Sequence, residues 1–340
     1  MMTTTVEVFC RIGLAAIILL VSGDLAWSQS DERAKLVEAA KKEGKLNWYT
    51  STNLTESKPL LDDFEKAYGI KGEIIRASGE KTLNRIVTEG RAGRWDFDVV
   101  TISEVDALTD AKLLMSYRSP EARTFIPEFK DSNGYWTAVY VNYTTIGYNT
   151  KLVSEKEAPK QWEDLLDPKW KGKISIDQEP YTWFGTLHKA WGRERAQKYM
   201  RAMAKQDIQW RKGHTLIAQL MSAGEFPIGV IYAHRTEEMK TRGAPIEWVN
   251  TVNPLAVTLN SAGISAKPEH PNVARLFVDF LLSRPAQQRL RSLRRIPARP
   301  DIEPFSPRME QSKLKLVTNP VETGAQFNAS IKEFREIFGL

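Results

Sequence analysis

Cysteine is all but missing from this 340-residue chain: the one copy is Cys10, close to the N-terminus. Beyond that position there is no thiol, which excludes disulfide bridges, thiolate nucleophiles and cysteine-based zinc sites. Long apolar runs are also missing. The longest, IGLAAIILLV (Ile12 to Val21), has ten residues, whereas a membrane-spanning helix needs roughly 20. Polar Ser22, Gly23 and Asp24 follow it, and Ala26-Trp27-Ser28 offers small residues at the two positions a signal peptidase inspects. The segment 1–28 is therefore expected to be a cleaved secretory signal, with Arg11 as its only basic side chain. Cys10 precedes the apolar run and would leave with it, so it cannot serve as a lipid attachment point. The expected product floats free in an exported compartment.

Other signatures are absent. No Gly-x-Ser-x-Gly elbow or His-Glu-x-x-His helix occurs, which argues against the common hydrolase classes. No phosphate loop, RNA-binding signature or helix-turn-helix pattern occurs, and the net charge is a modest +6 from 48 basic and 42 acidic residues, so nucleic acid is not an expected partner. Basic residues concentrate in RLRSLRRIPARP (Arg289 to Pro300), which reads as a solvated helix end and loop.

What is present is alternation. Short β-rich runs LNWYTS (Leu46 to Ser51), EIIRAS (Glu73 to Ser78) and FDVVTIS (Phe97 to Ser103) are each followed by amphipathic helical spacing, the pattern of α/β layers around a largely parallel sheet. Asn53, Ser78 and Ser103 stand where caps for those helices belong, with Asn53 and Glu56 at capping-box spacing. WTAVYVNYTTIGYNT (Trp136 to Thr150) is too long for one ordinary strand and reads as a crossover between two lobes; PLAVTLNSAGIS (Pro254 to Ser265) carries the chain back. Between them lie strands KISID (Lys173 to Asp177) and PIGVIY (Pro227 to Tyr232). Two crossings between two α/β lobes imply a hinged clamp with a cleft.

The phrase APKQWEDLLDPKWKGKISID (Ala158 to Asp177), taken with GKLNWYTS, IGYNTKLV, AGEFPIGVIY, RGAPIEWV and HPNVARLFVDFLLSRPAQ in that order, resembles the extracellular solute-binding proteins of ABC importers, in their ferric-iron-type branch. The resemblance covers nearly the whole chain after the leader. It implies the type II periplasmic-binding fold: a two-lobed α/β protein whose ligand is trapped in the cleft by hinge closure. The corresponding organisation is a signal peptide over 1–28, a first lobe over 31–138, a crossover over 139–150, a second lobe over 151–253, a return crossover over 254–265, and completion of the first lobe with C-terminal helices over 266–340. A monomer in the periplasm, partnered by an ABC permease and its ATPase, is the implied setting.

Ligands of open α/β sheets bind at the carboxyl ends of strands. On that ground Thr50, Ser51, Asn53, Arg76, Ser78, Gly79, Ser103 and Glu104 are candidates in the first lobe. Tyr143 in the crossover, Tyr181 and Thr182 after KISID, and Tyr232, His234 and Arg235 after PIGVIY complete the set. PIGVIY reads as a buried strand entering a polar loop, with Tyr232, His234 and Arg235 in that loop. His188, His214 and His270 are weaker candidates.

Iron-binding members of the resembling family carry adjacent tyrosines at the place of Tyr232, with a histidine and a glutamate from the other lobe. Here Ala233 follows Tyr232, and the loop after the first strand has no histidine. Arg235 is better suited to a carboxylate, phosphate or phosphonate, through its planar fork of donors, than to a bare cation. The expected cargo is thus a small oxyanion-bearing organic molecule, with no cofactor. Ferric iron held by Glu104, Tyr181, Tyr232 and His234 is the alternative cargo. A secreted hydrolase built on Glu104 and His234, or the input module of a periplasmic sensor, are alternatives of another class.

Overall fold

The computed structural model describes residues 31–319 and 321–340; the expected signal peptide and Cys10 lie outside them. A helix over 31–43 (α1) precedes the sheet. The chain then alternates β1 (Lys45–Thr50), α2 (Leu54–Tyr68), β2 (Lys71–Arg76), α3 (Gly79–Arg91), β3 (Val99–Ile102), α4 (Val105–Asp110) and a two-residue β4 (Leu114–Met115). The long β5 (Trp136–Asn149) leads to β6 (Ile174–Asp177), α5 (Tyr181–Trp191), α6 (Arg193–Met203), β7 (Gln209–Arg211), α7 (His214–Ala223), β8 (Ile228–Tyr232), α8 (Ala233–Thr241) and β9 (Ile246–Trp248). A second long strand, β10 (Leu255–Ser265), is followed by α9 (Pro271–Leu282), α10 (Arg284–Ser292), β11 (Ile296–Pro297), β12 (Leu316–Thr318) and α11 (Gly324–Phe338).

The main strand order is β2-β1-β3-β10-β5-β8-β6-β7. Its outer parts are parallel, β2 with β1 and β1 with β3 on one side, β8 with β6 and β6 with β7 on the other. In the middle, β10 runs antiparallel to β3 and to β5, and β5 antiparallel to β8. The stretch that exceeds ordinary strand length is thus one continuous strand shared by both halves. All fourteen residues of β5 and all eleven of β10 are buried, as expected of strands covered on both faces. Their pairing slips between Asn260 and Ser261, which face Tyr140 and Ala138 and leave Val139 as the extra residue of a bulge. Its carbonyl accepts from Gln287 Nε2 at 2.9 Å and from the Ala298 amide at 3.3 Å. Bulges re-aim neighbouring side chains, and this one stands under the cleft described below.

Aromatic packing anchors the first half. Phe277 on α9 lies edge-on to Trp48 of β1 and to Phe64 of α2, each with ring centroids 5.0 Å apart. In the second half Trp162 and Trp183 pack with centroids 5.2 Å apart, and Trp162 Nε1 donates to the Pro254 carbonyl at 2.8 Å. The WEDLLDPKW phrase is therefore architectural: it clips the second half to the start of β10. Truncating Phe277 to Ala removes three ring neighbours at once and should cost about 3–5 kcal/mol, read as a lowered midpoint in urea unfolding with an unchanged slope.

Candidate functional site

The segments that follow β1, β2, β3, β6, β7 and β8 at their carboxyl ends converge on one cleft of about 720 Å³. One wall carries Ser51, Asn53, Arg76, Ser78, Gly79, Ser103 and Glu104 from the first half of the sheet. The facing wall carries Asp177, Glu179, Tyr181 and Thr182 before and within the first turn of α5, His214 at the start of α7, and Tyr232 at the end of β8. Tyr140 and Asn142 of β5, Asn260 of β10, Arg235 and Arg295 form the floor. The site is built from both halves and from the two strands that join them.

The model of the bacterial extracellular solute-binding proteins matches residues 106–319. The chain belongs to this family. Among similar proteins, the Fe(3+)-binding periplasmic protein of Serratia marcescens is 25% identical over 247 residues, covering 69% of this chain and 72% of that protein. A putative 2-aminoethylphosphonate-binding periplasmic protein of Salmonella paratyphi A is 24% identical over 307 residues, 86% of each chain. The solved periplasmic binding protein AfuA of Actinobacillus pleuropneumoniae, with exogenous fructose-6-phosphate bound, superposes with a TM-score of 0.80 at 26% identity, covering 87% of this chain and 99% of that one.

The floor of this cleft is charged. Arg295, 4% exposed, donates through Nη1 to Asn142 Oδ1 at 3.0 Å and to His234 Nε2 at 3.1 Å, and through Nη2 to Glu56 Oε2 at 3.2 Å. It also covers the Tyr140 ring at 4.6 Å. Glu56, 2% exposed, accepts in turn from Arg235, which pairs with Glu238 at 3.1 Å, and Glu238 pairs with Arg242 at 2.8 Å. Along this chain the buried guanidiniums Arg295 and Arg235 share Glu56, and Arg235 shares Glu238 with Arg242, whose side chain is exposed; of the three, only the two buried arginines line the cleft. Burial alone would raise the Glu56 carboxyl; Arg295 and Arg235 outweigh it and hold it below its ordinary range. Burial and the same two arginines push His234 well below its ordinary range, so it is a neutral acceptor for Arg295.

The wall acids behave differently. Burial raises Glu104 to about 7, opposed by its own amide and that of Ser103 and reinforced by Glu179 and Glu80. His214 stacks on Tyr232 with centroids 3.6 Å apart, and burial lowers its pKa. Burial also raises the Tyr232 phenol far from its ionised form. Among the described residues no group of three His, Cys, Asp or Glu side chains is placed to hold a metal ion.

Eleven of the fourteen residues expected from sequence line the cleft: Ser51, Asn53, Arg76, Ser78, Gly79, Ser103, Glu104, Tyr181, Thr182, Tyr232 and Arg235. Three do not. Thr50 is fully buried, its hydroxyl 2.6 Å from that of Thr101. Tyr143 is fully buried and donates to the Met309 carbonyl at 3.3 Å. His234 is fully buried beneath the floor, because β8 passes directly into α8 with no loop, and the helix turns it inward to Arg295. Arg235 lies on the floor, engaged by Glu56 and Glu238.

The capping expectations also change. Asn53 and Ser78 are N-cap residues without side-chain cap bonds, and α4 is preceded by Glu104, not Ser103, at its cap position. Asn53 instead accepts from Arg76 at 3.0 Å, and Glu56 turns to the arginines. Most consequentially, RLRSLRRIPARP is not merely a solvated loop: Arg295 and Arg299 are buried, the first in the cleft floor. Asn142, Asn260, Tyr140 and Arg295 had no local signal; the available hint was polar residues interrupting the otherwise apolar β5 and β10.

Replacing Glu56 with Gln would leave Arg235 and Arg295 buried without their shared carboxylate, and breaking such pairs typically costs about 3–5 kcal/mol; chemical unfolding at neutral pH measures it. Glu104 carries the opposite dependence. Its folded pKa of about 7 lies above the ordinary 4.5, so the folded chain holds a proton that the unfolded chain has released. Stability from this group is complete below the ordinary value and is lost as pH rises through about 7. Glu104→Gln should therefore reduce the decline in urea midpoint between acid and neutral pH, by roughly one proton's linkage.

Proposed function

We propose that this solute-binding protein is the periplasmic receptor of an ABC importer. It captures a small organic oxyanion between its lobes and delivers it unaltered, as a closed monomer, to a membrane permease driven by its ATPase. In this reading 139–150 and 254–265 are the hinge segments, with lobes over 31–138 plus 266–340 and over 151–253. Glu56 on α2 and Arg235 on α8 come from opposite halves of the sheet, so their pair spans the base of the hinge, and closure would be an ordinary hinge motion.

The observation that carries the cargo class is that two buried guanidiniums, Arg295 and Arg235, line the cleft floor with Glu56 as the one fully buried carboxylate between them. Arg295 Nε, buried in the floor, has no acceptor among the described residues. An unpaired buried donor is costly, and an oxyanion supplies the acceptor. The helices α3, α5 and α7 begin at the cleft wall, which further favours an anion. The similar proteins named for aminoethylphosphonate and solved with fructose-6-phosphate accord with this class.

Ferric iron is the second cargo to test, because Glu104, Tyr181 and Tyr232 line the same cleft and one relative is named for Fe(3+). Titration calorimetry with fructose 6-phosphate, 2-aminoethylphosphonate and citrate should give one-to-one binding of at least one of them. Arg295→Gln should weaken that binding about 30-fold or more, the loss usual for one partner of a buried charged pair. A coloured ferric complex abolished by Tyr232→Phe, with none of the three anions bound, would contradict the oxyanion reading.

A further inference from the structure

The last helix of the chain touches both halves of the sheet, and it does so unequally. The chain reaches α11 from β12, which pairs with β10 at Leu255–Val257, on a strand that both halves share. Phe327, Ile331 and Phe334 recur at helical spacing on α11 and are buried. The aromatic members pack on the second half. Phe327 and Phe334 lie edge-on to Tyr181 of α5 with centroids 6.2 and 5.7 Å apart, and Phe334 to Phe184 at 5.6 Å. Phe338 meets Trp210 of β7 at 5.2 Å. Glu333 adds Arg193 at 2.7 Å and Gln197, both on α6.

Towards the first half, among the described residues, α11 makes no ring contact. The amide of Gly324, in its first turn, reaches Asp110 of α4 at 3.4 Å, and Arg335 reaches Glu80 of α3 at 3.4 Å. Between Phe327 and α4 lies a gap of about 20 Å³, lined also by Asp106 and Ala107, which is room for a single water. Arg335 Nη2 also donates to the Tyr181 hydroxyl at 3.1 Å. Glu80 and Tyr181 line facing walls of the cleft, so one guanidinium joins the walls at its edge.

These two sets of contacts part with unequal ease. Rings buried against the second half separate only by exposing apolar surface to water. The Arg335–Glu80 pair is half-exposed on the arginine side, and such pairs hold weakly.

We propose that α11 is a releasable clasp on the cleft: it travels with the second half, and each opening breaks only its contacts with α3 and α4, at Glu80 and Asp110. The proposal rests on the hinge reading above and transfers α11 from the first lobe, where its place in the chain puts it, to the second. Arg335 is then a positioning residue, which sets how far the walls stand apart and orients Tyr181.

Small-angle X-ray scattering of ligand-free protein tests this, with folding checked by circular dichroism. Arg335→Ala should increase the radius of gyration over the wild-type value. A cross-link should reverse the increase: a Cβ built at Gly324 lies 3.9 Å from the Ala107 Cβ, within disulfide range, and no cysteine follows Cys10. Ala107→Cys with Gly324→Cys, oxidised in the Arg335→Ala background, should restore the wild-type value, and reduction should undo the restoration. An increase that the cross-link leaves in place overturns the clasp, since the halves then part without it. No increase in Arg335→Ala, with one in the double variant Arg235→Ala/Arg335→Ala that also cuts the pair at the base of the cleft, overturns the clasp and leaves the hinge standing. No increase in either removes both.

Discussion

Glu56 is the constraint on which the site depends. It is a fully enclosed carboxylate that two guanidiniums reach from different directions, Arg295 from the segment after α10 and Arg235 from α8. A charge buried this deeply is tolerated only when paired and hydrogen-bonded, so the position of each member fixes the others. Glu56 fixes where α2 begins relative to the floor, Arg295 fixes the loop into β11, and Arg235 fixes the first turn of α8. His234 must then be neutral, and Asn142 must present its oxygen to Arg295. The network presents two guanidiniums, Arg295 and Arg235, at the bottom of a cleft between two halves of a sheet, with their shared carboxylate beneath them.

The wall above has the reverse problem. Glu104, Glu80 and Glu179 stand together with Arg335 offsetting Glu80, and Glu104 keeps its proton until the pH rises through about 7. Arg295 Nε, a donor without an acceptor among the described residues, sits at the bottom of the cavity. A binding protein can use that condition, because the ligand supplies what folding does not, and binding and closure then share one driving force. The bulge at Val139 contributes by placing Tyr140 and Asn260 opposite each other at the centre of the floor.

Much of the fold was legible because it is written locally. Alternating strands and helices, strand ends bearing Ser, Asn and Tyr, and two overlong β-rich stretches translate directly into parallel halves joined by β5 and β10. The walls of the cleft were legible for the same reason: Ser51, Ser78, Glu104 and Tyr232 each follow their own strand. The floor was not. Arg295 lies in a run of arginines that locally looks like a solvated helix end, and only its partner Glu56, 239 residues away in sequence, makes it internal. His234 was misplaced by a matter of one turn, since a strand that enters a helix without a loop points its second residue inward. Asn142 and Asn260 were hidden within strands whose burial suggested core alone.

The central claim is that the arginine floor holds an organic oxyanion, and native mass spectrometry of protein purified without unfolding, with its absorbance spectrum, tests it most directly. The account predicts a colourless protein carrying a small organic mass that is lost from Arg295→Gln. A protein that carries ferric iron, with a visible band and no accompanying organic anion, would contradict it.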